Sequence, residues 1–118
     1  MQQLQFSDSK HIAMILSGEK VQTTRHPKGL KKGETIELIS SEGFDLFRMA
    51  TVTDIIKLQG NLVLANLRDT TREAWAEKDG FSSFEEADKF MSQVYGKDWQ
   101  THEMEIIKFH GDWLPEDD

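Results

Sequence analysis

The chain has 118 residues, of which 37% are hydrophobic and 30% charged, with no cysteine and a formal net charge of −7. That length suits a single core burying roughly two-thirds of the surface that the unfolded chain exposes. The lack of cysteine excludes disulfides, thiol nucleophiles and cysteine-dependent zinc or iron–sulfur sites, and the negative charge disfavours a protein that grips nucleic acid over its whole surface. No run approaches the roughly 18 apolar residues of a membrane-spanning helix. Residues 1–6 also lack the basic start and apolar stretch of an export signal. One cytoplasmic domain over residues 1–118, monomeric and without membrane contact, is expected.

Ser9 can cap a first helix that carries Ile12, Ile15 and Leu16 on one side, and Gly18 stands where that helix would end in a left-handed residue. Val21 to Arg25 has strand character, closed by the turn His26-Pro27-Lys28-Gly29. After a second turn at Lys32-Gly33-Glu34, Thr35 to Ser40 alternates Ile36 and Leu38 as a half-buried strand does. Ser41-Glu42-Gly43 leads into a long extended run, Phe44 to Leu58, so this half reads as a β meander. Beyond Gly60-Asn61, the apolar segment Leu62 to Leu67 has the length of a strand. Thr70-x-x-Glu73 and Ser82-x-x-Glu85 are capping-box patterns for two helices that Gly80 and Gly96 would stop. Phe84, Ala87, Met91 and Val94 share one side of the second, and Glu103 to Phe109 reads as a closing strand. Strands interrupted by helices without a βαβ rhythm indicate an α+β domain.

Charge is unevenly spread. Residues 1–57 carry eight Lys/Arg against seven Asp/Glu, and residues 58–118 carry six against fourteen. Lys20, Arg25, Lys28, Lys31 and Lys32 fall within thirteen positions that hold no acid, a stretch that either attracts an anion or keeps a loop in solution. Within it, Gly18-Glu19-Lys20-Val21-Gln22-Thr23-Thr24-Arg25 has the spacing Gly-x-Lys-x-x-Thr-x-Arg. Gly18 permits a tight exit from the helix, and on an extended segment Thr23 and Arg25 share a face. Lys20 has the opposite parity and joins them only if the bend turns it. An ammonium, a hydroxyl and a guanidinium in one cleft suit a phosphate, a carboxylate or a polarised carbonyl.

This octapeptide resembles the signature of ASCH domains, relatives of the PUA fold. Further ordered stretches resemble the family too: Lys32 to Leu38, Ala50 to Ile55, Asp79 to Glu86 and Met104 to Phe109. The resemblance implies a small PUA-like β-barrel of about five to six strands with flanking helices, whose ligand site includes Gly18, Thr24 and Arg25. It implies an RNA or modified-nucleoside partner and no cofactor. One bacterial branch of the family removes the acetyl group of N(4)-acetylcytidine, and by resemblance Lys20 and Thr23 would be its catalytic lysine and threonine. That branch has a glutamate where this chain has Asp79, with Glu77 two residues earlier. An aspartate is one methylene shorter, so either Asp79 or Glu77 is expected to supply the acid. The competing reading is a non-catalytic RNA-binding module, and a third is a plain interaction module. His11, His26, His102 and His110 lack metal-ligand spacing, and Trp75, Trp99 and Trp113 are expected to pack rather than to stack a base.

Overall fold

The computed structural model describes residues 2–40, 47–58 and 71–115. In chain order these form β1 (Gln3–Phe6), α1 (Ser9–Ser17), β2 (Gln22–Arg25), β3 (Thr35–Ser40), β4 (Phe47–Leu58), α2 (Arg72–Lys78), α3 (Phe84–Tyr95), a short 3-10 turn (Trp99–Thr101) and β5 (Met104–Gly111). The predicted strand Leu62 to Leu67, the turn Ser41-Glu42-Gly43, the dipeptide Gly60-Asn61 and residues 44–46 of the long extended run lie outside the described residues.

The five strands form one curled sheet, a half-barrel of order β1-β3-β4-β5-β2, and the fold is α+β. Only β3 and β4 pair as the meander predicts. The strand at Gln22–Arg25 does not join β3, which follows it in sequence, but pairs antiparallel with β5 at the far edge, Thr23 opposite Ile107 and Arg25 opposite Glu105. Alternation fixes which face a strand buries but leaves its neighbour open. β1, to which the sequence reading assigned no structure, pairs parallel with β3 and buries Leu4 and Phe6 between exposed glutamines.

Each face of the sheet has its own core. Leu4, Phe6, Ile36, Leu38, Val52, Ile107 and Phe109 pack with Ile12 and Ile15 of α1. On the other face Leu58, Met104 and Ile106 pack with Trp75 of α2, Ala87 and Met91 of α3, and Trp99. The neighbours Ile106 and Ile107 serve different cores, as the two-residue repeat of a strand requires. Trp75 and Trp99 are fully buried and stacked, with ring centroids 5.9 Å apart, and Trp113 packs half-buried against the first core.

Several helix boundaries move by one residue. Asp8, not Ser9, caps α1, its carboxylate accepting from the Lys10 amide at 2.8 Å. The caps of α2 and α3 are Thr71 and Ser83, which accept from the amides of Ala74 and Glu86, each at 3.1 Å. Ser82 instead donates to the Glu86 carboxylate, and Glu73 accepts from the Phe84 amide at 3.0 Å, joining α2 to the start of α3. The buried side of α3 ends at Met91, leaving Val94 55% exposed, so the predicted apolar face is one turn too long. Among the described residues no helix is long and apolar enough to cross a membrane.

Candidate functional site

The curl of the sheet brings its two edge strands, β1 and β2, toward each other, and Arg25 joins them. Its Nη2 donates to the backbone carbonyl of Gln5 at 2.5 Å, its Nε donates to Thr23 Oγ1 at 3.3 Å, and its guanidinium lies 4.6 Å from the centroid of the Phe6 ring. Nearby, Gln2 Nε2 donates to the carbonyl of Lys28 at 3.1 Å, a second tie across the same seam. An edge strand exposes unpaired backbone groups, and these side chains satisfy some of them.

The bend expected after α1 is present. Gly18 caps the helix at φ 85°, and the Lys20 amide turns back to donate to the carbonyl of Met14 at 3.0 Å. This reversal sends Lys20 inward, 2% exposed, where its ammonium donates to the backbone carbonyl of Asp79. Gly80 makes room for it: the residue sits at φ 99°, and a Cβ there would stand 3.2 Å from Lys20 Cδ and 3.2 Å from His11 Cδ2. The Asp79 carboxylate faces β2 instead, accepting from Gln22 Nε2 at 2.7 Å and from the Thr24 amide at 3.0 Å. Asp79 therefore reaches Lys20 through its main chain, and the shorter side chain is used to fasten the end of α2 to β2. Thr24 Oγ1, on the opposite face from Thr23, accepts from Trp75 Nε1 at 2.9 Å.

Burial sets the electrostatics. Desolvation lowers the Lys20 pKa to about 8; the Asp79 charge opposes the shift and the Arg25 charge adds to it. Asp79 is pushed up by the same burial, against the pull of Lys20 and of its bonds from Gln22 and Thr24. His11, buried and near Lys20, falls to about 4 and is a neutral imidazole at physiological pH.

These groups line a cavity of about 180 Å³. Lys20, Thr23, Thr24, Arg25 and Asp79, with Gln5, Ser7 and Asp8, supply its polar lining, and Phe6, His11, Phe81, Phe90 and Tyr95 its rings. It is below the roughly 300–1,000 Å³ of sites that engulf a drug-sized ligand, so it suits one flat ring or a short acyl group with the remainder outside. The structure thus brings together Lys20, Thr23, Thr24, Arg25 and Asp79 from the sequence reading. Glu77 is not among them: it is exposed on α2 and does not line the cavity, so of the two candidate acids Asp79 is the one at the site. Gly18 acts through the bend alone. His11 is a cavity residue that sequence reasoning considered only as a metal ligand; its place on the apolar side of α1, beside Ile12 and Ile15, was the available signal. Among the described residues no group of three His, Asp or Glu could hold a metal ion.

No family model matches the chain, and no curated protein matches it. Solved structures do. A hypothetical protein, PH0355, aligns with a TM-score of 0.66 at 19% identity, over 94% of this chain and 99% of that one. The ASCH domain from Lactobacillus crispatus JV V101 aligns with a TM-score of 0.58 at 14% identity, covering 93% of this chain and 78% of the other. A ZmASCH mutant protein from Zymomonas mobilis gives 0.57 at 14% identity, over 92% and 66%. With its half-barrel, its three helices and these alignments across nine-tenths of its length, the chain has the fold of an ASCH domain.

Proposed function

We propose that the cavity binds an acylated nucleobase, of the N(4)-acetylcytidine kind, and hydrolyses its amide. The observation that carries this reading is a buried lysine with a pKa lowered to about 8, lining the same cavity as a hydroxyl that a guanidinium already holds. A lysine with an ordinary pKa is a poor base at neutral pH, whereas one near 8 is partly neutral and can take a proton. The ring-lined side of the cavity suits a flat base, and the overall acidity of the chain is no obstacle to a small uncharged substrate.

In this mechanism neutral Lys20 takes the Thr23 hydroxyl proton as Thr23 Oγ1 attacks the acyl carbon. Arg25, bonded to Thr23, offers positive charge to the oxyanion that forms. The carbon–nitrogen bond then breaks, and the proton on Lys20 passes to the leaving amine. Water, deprotonated by Lys20, cleaves the acyl-threonine ester, releasing the carboxylic acid and restoring Thr23. Asp79 positions Lys20 through its carbonyl and takes no part in the chemistry.

The experiment is incubation with N(4)-acetylcytidine, followed by mass spectrometry for loss of the acetyl group. Lys20→Ala and Thr23→Ala should each lower turnover by roughly 10²–10⁴-fold, the usual contribution of such a group. Turnover indifferent to both changes overturns the mechanism, and binding without turnover would return the chain to the class of RNA-binding modules.

A further inference from the structure

Gln5 and Arg25, the two residues joined across the seam, line a second depression besides the cavity. It is open, about 320 Å³, and lined by Gln2, Gln3, Gln5, Arg25 and Lys28. Its lining holds two cations and three amides without an acid, in a chain whose net charge is −7. The nearby carboxylate of Glu37 is engaged by Gln3 Nε2 at 3.2 Å, and the backbone of Lys28 is held by Gln2. Arg25 uses Nε on Thr23 and Nη2 on Gln5, and Nη1 has no hydrogen-bond partner among the described residues. A guanidinium fixed along one edge, with donors spare on the other, suits a tetrahedral oxyanion, and an ammonium beside it adds charge.

We propose that this depression is a phosphate subsite, so that the substrate is a nucleotide: its base enters the cavity while its phosphate rests between Arg25 and Lys28. The two depressions share the wall made by Gln5 and Arg25, so a base and a phosphate separated by one sugar can occupy both. This inference rests on the proposed reading of the cavity, which by itself requires only a nucleoside.

The test compares N(4)-acetylcytidine with its 5′-monophosphate in the wild type and in Lys28→Glu. The nucleotide should have a KM about tenfold lower, as a charged hydrogen bond to phosphate warrants. Lys28→Glu should remove that advantage and leave the nucleoside unchanged, since Lys28 does not line the cavity. Equal KM values, or an advantage that survives Lys28→Glu, overturn the subsite. If neither compound is hydrolysed, cytidine 5′-monophosphate and cytidine are titrated against the side-chain amide NMR signals of Gln2 and Gln3. Shifts caused by the nucleotide alone uphold the subsite although the hydrolytic reading has failed. Identical responses to both compounds refute it, and inorganic phosphate binding as tightly as the nucleotide refutes the joint binding of base and phosphate.

Discussion

The centre of the sheet and its seam are built by opposite rules. β4 and β5 are each paired on both sides, and Val52, Ile106, Ile107 and Phe109 are buried on one face or the other. At the seam, where β1 and β2 have no second neighbouring strand among the described residues, five polar residues are buried beside the apolar Leu4 and Phe6: Lys20, Gln22, Thr23, Thr24 and Asp79. Each of these five needs a partner to offset its desolvation, and each has one. Stability therefore resides in the central strands, while the seam gives up some of it to hold an amine and a hydroxyl away from water, as functional sites commonly do.

The largest effect should come from the centre. Phe109→Ala removes a buried ring and should cost roughly 3–5 kcal/mol in urea unfolding, with the affinity of the folded protein for the proposed substrate unchanged. A loss under about 1 kcal/mol would mean that the central strands do not dominate stability. At the seam, Asp79→Ala leaves the Gln22 amide and the Thr24 backbone N–H without acceptors. It should cost about 2–4 kcal/mol and also lower turnover, because the carbonyl that holds Lys20 loses its anchorage. Stability lost with turnover intact would separate Asp79 from Lys20.

The smallest effect should have the opposite sign. Lys20→Met keeps the volume and removes a charge whose burial is unfavourable, so it should abolish turnover and raise stability by about 1–3 kcal/mol at pH 7. The folded-state pKa of Lys20, about 8, lies below its ordinary value of 10.5. Below pH 8 both folded and unfolded lysine are protonated, and the folding penalty is fully present. Between 8 and 10.5 the unfolded state binds the extra proton, so the wild type gains stability as pH rises. The advantage of Lys20→Met should accordingly shrink across that window in thermal melts. A variant less stable than the wild type at pH 7 would show that the Asp79 bond outweighs desolvation.

What could be read in the sequence follows the same division. The strand Thr35–Ser40 and the stop at Gly18 stand where the pattern put them, since alternation and a left-handed glycine are local signals. β1 escaped because four residues are too few to show a period. The partnership of β2 with β5 escaped because strand pattern does not name a neighbour. In the site, Lys20, Thr23 and Arg25 were legible from spacing plus one bend. The acid was narrowed only to Asp79 or Glu77, a choice decided by where α2 ends. That Asp79 would meet Lys20 by its carbonyl, that Arg25 would reach Gln5 across the seam, and that His11 would line the cavity all depend on contacts between distant parts of the chain.

The most direct test is an NMR titration of Lys20 by its Nζ or Cε resonance, with assignment confirmed by Lys20→Met. A midpoint near 8, well below the ordinary lysine value of 10.5, is the predicted result, and it should rise toward 10.5 when urea unfolds the chain. A Lys20 that titrates near 10.5 in the folded protein would contradict the account, because the amine would then lie in water and could not act as the base.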